Sequence, residues 1–247
     1  MTRDLFLFIP AYNVERELLD LLKSIPSSVL LRTAELLIVN DGSADKTLAV
    51  AKKFADEEIR TSVRVESFAK NSGYGAVIKT GLLRAKELAG LLNVKFAVCL
   101  HGDGQYPAKS ILPMIETLEG SDAVICQGSR HALQGGPREG RMPLYKFLGG
   151  KLLTFIENCV FMNKLSDRHS GLIAYRTSYL KKLNLKKLSG SFDIDLEILA
   201  TADAQKEKLL EIPIETRYAG EVSNLRVIPY GFRVLRVALR RLRGFYG

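Results

Sequence analysis

The residues able to do chemistry lie in short clusters directly behind apolar runs. Pro10-Ala11-Tyr12-Asn13 follows the first run and Asn40-Asp41-Gly42-Ser43-Ala44-Asp45 the second. Asn71-Ser72-Gly73-Tyr74-Gly75 follows the third, and His101-Gly102-Asp103-Gly104-Gln105 the fourth. These clusters offer acceptors suited to a base and a ribose, glycines suited to tight turns, and oxygen ligands suited to a metal ion. Further along, Gly128-Ser129-Arg130 carries an arginine whose planar fork suits phosphate oxygens, and Ser166-Asp167-Arg168-His169-Ser170-Gly171 adds a second charged cluster.

The elements that must position these clusters can be read from periodicity. Strands are expected over 5–10, 35–39, 62–68, 95–100, 123–127, 172–175 and 208–214. Helices are expected over 15–25, 44–55, 76–89, 109–118 and 194–202, with another following Met142 and a last one from Tyr230. This alternation predicts an α/β fold, a Rossmann-like, mostly parallel sheet flanked by helices. Such sheets bind ligands at the carboxyl ends of their strands, where the clusters fall. Residues 128–141, rich in glycine and carrying Arg130, Arg138 and Arg141, read as a long loop of the kind that covers active sites.

Composition narrows the partners. The 247 residues carry a net charge of +9 and are 47% hydrophobic, which suits a globular single domain with an anionic partner. Cys99, Cys126 and Cys159 are odd in number and widely spaced, which predicts buried packing in a reducing compartment rather than disulfides or structural zinc. No signal peptide or membrane-spanning run is expected. The first turn lacks the G-x-G-x-x-G of a dinucleotide-binding dehydrogenase, and no P-loop is present. A nucleotidylyltransferase would need a glycine-rich basic loop there, which is also missing. The βα rhythm does not suit a helix-turn-helix reader, so nucleic acid is not an expected partner.

Taken in order, Ile9-Pro10-Ala11-Tyr12-Asn13, Val39-Asn40-Asp41-Gly42-Ser43, Asn71-x-Gly73-x-Gly75-Ala76, His101-x-Asp103-x-Gln105, Gly128-Ser129-Arg130 and Asp167-x-x-Ser170-Gly171 resemble the family-2 glycosyltransferases of GT-A fold. The likeness is to the polyprenyl-phosphate, dolichol-phosphate-mannose-synthase-like branch, and it runs from about Leu5 to Ser223. It implies a GT-A domain over 1–225, with a nucleotide-sugar half over 1–107 and an acceptor half over 108–225. It also implies a nucleoside-diphosphate sugar held by Pro10, Ala11, Tyr12, Asn13, Glu15, Asp41, Asn71, His101, Gly102 and Asp103. A divalent ion, Mg²⁺ or Mn²⁺, would sit on Asp103 and Gln105. The family pattern is Asp-x-Asp, and here His101 replaces the first Asp. Three roles stay open for His101: metal ligand, hydrogen-bond partner of the ribose or diphosphate, and structural residue. The branch also has Glu directly after the Asn, whereas this chain has Val14 and then Glu15, which either substitutes for it or sits in a first helical turn.

In the acceptor half the resemblance points to Arg130, Arg141, Asp167, Ser170, Asp195 and Arg217. Asp167 can act as a base or orient Arg130. Arg217 and Gly220 fit the branch's R-x-x-G-x-S-K pattern, but Ser223 falls one place late and Asn224 replaces Lys. Residues 215–247 hold seven Arg and two Glu, and residues 226–247 read as a basic amphipathic helix. Arg233, Arg236, Arg240 and Arg243 fall along one edge, and Leu235, Ala238, Leu242, Phe245 and Tyr246 opposite. That pattern fits a membrane surface, or packing on the domain with a solvated edge. The expected activity is inverting transfer of a sugar to a polyprenyl phosphate by a peripheral enzyme on the cytoplasmic membrane face. Transfer to a saccharide or protein hydroxyl, and non-catalytic nucleotide-sugar binding, are the alternatives. Asp103→Ala should abolish transfer in the presence of metal; full activity in that variant would remove the metal assignment.

Overall fold

The computed structural model describes residues 2–132, 144–215 and 227–247. Seven strands form one sheet: β1 (Leu5–Ala11), β2 (Thr33–Asn40), β3 (Ser62–Ser67), β4 (Phe96–Cys99), β5 (Ile125–Ser129), β6 (Ile173–Arg176) and β7 (Leu209–Pro213). Their order is β3-β2-β1-β4-β6-β5-β7. All pairings are parallel except those of β6, which runs antiparallel to both β4 and β5. β1 is apolar almost throughout because both of its faces are covered; β3, at the edge, alternates between exposed and half-buried residues.

Two helical layers cover the sheet. On one face, α1 (Glu17–Ser24), α2 (Ser27–Arg32), α3 (Thr47–Glu57) and α5 (Ile111–Glu119) bury Leu18, Leu22, Val29, Phe54, Ile111 and Ile115 against β1, β2 and β4. On the other, α4 (Tyr74–Leu91), α7 (Thr177–Lys182) and α8 (Ile194–Ala204) cover Phe6, Phe8, Leu37 and Tyr175. Outside α8 lie α6 (Leu144–Val160) and α9 (Val227–Leu242), joined to it by Phe161, Leu196, Ala200, Val234 and Val237. α8 is thus buried on both sides, which explains why nearly every residue in it is inaccessible.

The seven expected strands all form, with ends moved by one or two residues. The helix expected from Glu15 begins at Glu17, and the short helices α2 and α7 carry too few residues to show a period. The loop expected over 128–141 lies outside the described residues from 133 onward, as do Arg138, Arg141, Arg217, Gly220 and Ser223. Cys99 and Cys126 are buried, but Cys159 is exposed, contrary to the expected burial of all three.

The arginine edge of the last helix also differs from expectation. Arg233, which stays exposed, and half-buried Arg240 and Arg241 pair with Asp193, Glu197 and Asp203 at 3.2, 3.0 and 3.0 Å. These three acids flank or belong to α8 and are buried, and the arginines offset the cost of burying them. Of the residues assigned to the opposite face, Ala238 and Tyr246 are buried, whereas Leu235, Leu242 and Phe245 are exposed.

Close packing at Gly81 gives a test of the core. A Cβ there would lie 2.2 Å from the Phe8 ring. Gly81→Ala should therefore lower stability by about 1–3 kcal/mol in urea denaturation, although alanine is the better helix former.

Candidate active site

The carboxyl ends of β1, β2 and β4 gather the first clusters. The amide of Gly102 donates to the Pro10 carbonyl at 2.9 Å, and a Cβ on Gly102 would approach that oxygen to 2.8 Å. Glycine at this position lets the loop behind β4 lie directly on the end of β1, bringing His101 and Asp103 beside Pro10 and Ala11.

Asp41 is buried, and its two oxygens accept from the amides of Ser72 (2.7 Å) and Gly73 (3.1 Å). It therefore fastens the turn that leads into α4, and Asn71 stands exposed on that turn. Gly42, at φ +64°, lies so close to Lys70 that a Cβ would come within 2.4 Å of its carbonyl carbon. Only glycine combines that backbone with that approach.

The residues behind β1 are held by the loop behind β2. Asn13, at φ 52°, donates its amide to Ser43 Oγ and accepts from the Ala44 amide, both at 2.9 Å. Glu15 accepts from the Lys46 amide at 2.8 Å, and its own amide donates to Asp45. Asp45 in turn accepts from the amide and hydroxyl of Thr47 at the start of α3, which holds its carboxyl below the usual range once the cost of burial is offset. Glu15 is thus neither in the first turn of α1 nor aimed outward; it closes the β1 and β2 loops together. Tyr12, partly exposed, is left on the rim.

His101 does not reach outward through both ring nitrogens. Its Nε2 lies 2.9 Å from the Tyr74 hydroxyl, which donates to Asp195 at 2.6 Å. The ring stands edge-on to Tyr106, whose hydroxyl accepts from the Gly171 amide at 2.9 Å. Burial pushes the imidazole below its ordinary pKa, outweighing Asp103, so the ring is neutral. Burial also raises Asp195 to about 7, with the Tyr74 hydrogen bond opposing the rise.

A divalent ion would find Asp103 and Gln105 on this loop, where the Gln105 amide donates to Asp103 Oδ1 at 3.1 Å. Among the described residues no cluster of three or more His, Cys, Asp or Glu could hold a metal. One carboxylate and one amide oxygen suit a hard ion that takes its remaining ligands from a diphosphate and water. With Nε2 bound to Tyr74, His101 has only Nδ1 left to offer.

In the second half, Arg130 and Asp167 form a two-pronged ion pair at 2.6 and 2.9 Å. Asp167 is fully buried and also accepts from the amides of Arg130 (3.2 Å) and His169 (3.0 Å). Burial alone would raise its carboxyl; the adjacent guanidinium overrides this and holds it far below the usual range. A carboxylate so held orients Arg130 and is poorly suited to accept a proton. Ser170 is buried and its carbonyl accepts from Gln127 at 2.7 Å. His169 is enclosed between Tyr230 (3.0 Å) and Glu157 (3.3 Å), a linkage from this loop to α9 and α6 with no separate signal in the sequence. Tyr74 has no role in the sequence reading, although it stands between the two glycines of a cluster singled out for chemistry.

The sheet order, its single antiparallel strand and the clusters along one edge define a GT-A fold. Residues 6–183 match the model of glycosyl transferase family 2, and the chain belongs to that family and is a glycosyltransferase. It is 28% identical to a UDP-N-acetylglucosamine–dolichyl-phosphate N-acetylglucosaminyltransferase of Methanococcus voltae, over 87% of this chain and 86% of that one. It is 30% identical to a dolichyl-phosphate beta-glucosyltransferase of Trichomonas vaginalis, over 85% of this chain and 65% of that one. Among solved structures, glucosyl-3-phosphoglycerate synthase of Mycobacterium tuberculosis superposes with a TM-score of 0.66 at 17% identity, covering 98% of this chain and 81% of that one.

Asp167→Asn should cost about 3–5 kcal/mol at pH 7, because it removes the buried carboxylate that pairs in two prongs with the Arg130 guanidinium. The sign with pH follows from the lowered pKa: the contribution is present above the ordinary carboxylate value of about 4 and falls as pH drops below it. Urea denaturation at pH 7 and at pH 3 should therefore show the gap between wild type and variant narrowing in acid.

Proposed function

We propose that this chain transfers a sugar from a nucleoside diphosphate to a polyprenyl phosphate at a membrane surface, with inversion at the anomeric carbon. The observation that carries this reading is the pair formed by half-buried Arg130 and fully buried Asp167. A hydroxyl acceptor needs a base during attack, whereas a phosphate is already ionised at pH 7 and needs only positioning. Asp167 is committed to Arg130, and Arg130 is fixed beside the strand ends as a cation suited to a phosphate. The names of the dolichyl-phosphate relatives support the same acceptor class.

In this mechanism the donor base and ribose lie along Pro10, Ala11, Tyr12, Asp41 and Asn71. Asp103 and Gln105 would hold a divalent ion, which neutralises charge on the departing diphosphate. An oxygen of the acceptor phosphate forms the new bond to the anomeric carbon. The bond to the diphosphate breaks on the opposite side, and its electron pair leaves with the nucleotide. Arg130 orients the acceptor. Mn²⁺ or Mg²⁺ appears in solved structures of the mycobacterial neighbour, which is consistent with this donor set.

The membrane reading rests on α6 and α9 together. α6 and the turn after it expose Leu148, Leu152, Phe155 and Met162, and α9 exposes Phe232, Leu235, Leu239 and Leu242. Leu148, Leu152 and Phe155 on α6, and all four residues on α9, recur at three or four residues, so each set forms a stripe along its helix. Arg236 and Arg243 are exposed beside the second stripe, where they suit anionic headgroups. No helix among the described residues is long and apolar enough to cross a membrane, so the contact is with the surface. The peripheral position on the cytoplasmic face belongs to the same proposal.

The decisive assay offers UDP- and GDP-sugars with Mn²⁺ to a short polyprenyl phosphate and to a soluble oligosaccharide. Transfer to the phosphate supports this reading, and transfer to the oligosaccharide alone overturns it. Leu235→Glu with Leu239→Glu should reduce sedimentation with phosphatidylglycerol vesicles at least several-fold while leaving the thermal midpoint near wild type. Unchanged sedimentation would count against α9 as a lipid contact.

A further inference from the structure

The departure at His101 has a partner set that gives it a defined chemistry. Tyr74 has one hydroxyl hydrogen, and its 2.6 Å contact gives that hydrogen to Asp195. Burial raises the phenol well above its ordinary pKa, so the hydrogen stays on the residue. Above the raised pKa of about 7, Asp195 is ionised and the Tyr74 oxygen is left as an acceptor; among the described residues, His101 Nε2 stands 2.9 Å from it as the donor. The neutral ring then carries its proton on Nε2, and Nδ1 bears a lone pair.

Packing fixes the ring in this position. A Cβ on Gly171 would fall 2.3 Å from His101 Nε2, so the imidazole lies against glycine backbone. Tyr106 meets one side edge-on, and Phe192 stacks on Tyr74 at 5.3 Å. A Cβ on Gly75 would fall 2.3 Å from the Gly190 carbonyl carbon, so the start of α4 is seated on the segment leading into α8. His101, Tyr74 and Asp195 come from the loop behind β4, from α4 and from α8, and each is partly exposed.

We propose that Tyr74 and Asp195 are positioning residues that hold His101 as the Nε2–H tautomer, so that Nδ1 accepts a hydrogen bond from a hydroxyl of the nucleotide sugar. The imidazole then offers the donor an acceptor, as the aspartate of the family pattern does. A diphosphate oxygen is excluded as its partner, because both atoms would be acceptors; a ribose or sugar hydroxyl fits. This rests on the reading of the chain as a nucleotide-sugar transferase, but the tautomer itself does not depend on activity.

The test uses the full chain labelled with ¹⁵N-histidine, which has three histidines to resolve. At pH 8.5 the long-range ¹H–¹⁵N spectrum should show His101 protonated on Nε2. In Asp195→Asn the new amide donates to Tyr74, Tyr74 donates to Nε2, and the His101 proton should move to Nδ1. Tyr74→Phe should raise the donor KM about tenfold, the worth of one hydrogen bond, with kcat and the Mn²⁺ requirement near wild type. In a His101→Asp background, where the acceptor needs no tautomer, Tyr74→Phe should leave the donor KM unchanged. An Nε2–H tautomer in both wild type and Asp195→Asn would overturn the relay. An equal KM rise from Tyr74→Phe in both backgrounds would reduce Tyr74 to packing. A tautomer shift without any sugar transfer would support the relay and count against the transferase reading, so the two fail separately.

Discussion

The site depends on the direction of one strand. β6 is inserted antiparallel between β4 and β5, pairing Ile173 with both Cys99 and Gln127. A parallel strand would enter from the far side of the sheet and leave its leading loop there. Entering from the site side, β6 delivers Asp167, Ser170 and Gly171 to the carboxyl ends of its neighbours. Asp167 thereby meets Arg130 behind β5, and Gly171 supplies the bare backbone against which His101 packs.

Hydrogen bonds from backbone amides explain why so many polar side chains crowd this edge. Parallel strands end with unsatisfied amides and sharp turns, and buried amides need partners. Asp41, Ser43, Asp45, Glu15 and Asn13 each accept from an amide of a neighbouring loop. A nucleotide-binding role and this structural role are compatible for Asp41, because a carboxylate has about four acceptor sites and two are taken. The loops are held before any ligand arrives, which reduces the ordering cost of binding.

The charge of the chain divides differently from what its distribution along the sequence implies. The terminal arginines are concentrated where a lipid-facing edge is expected, yet three of them neutralise buried acids at α8. Exposed leucines and phenylalanines on α6 and α9 share that surface with exposed Arg236 and Arg243. A helical wheel places residues relative to one another but cannot say which edge meets a neighbour, because that depends on carboxylates far away in the chain.

Periodicity by itself marked out the seven strands, since short apolar or alternating runs bounded by glycine or polar residues suit a buried or half-buried strand. The order of motifs behind those strands was enough to recognise the family and to place the polar clusters on one edge. Tertiary structure alone decided the direction of β6, the commitment of Asp167 to Arg130, the pairing of Arg233, Arg240 and Arg241 with buried acids, and the Asp195–Tyr74–His101 chain. Each of these joins residues far apart in the sequence, from 27 positions for Tyr74 and His101 to 121 for Tyr74 and Asp195. Local propensity carries no information over such separations; the partner of a buried charge is chosen by which elements the folded sheet brings into reach.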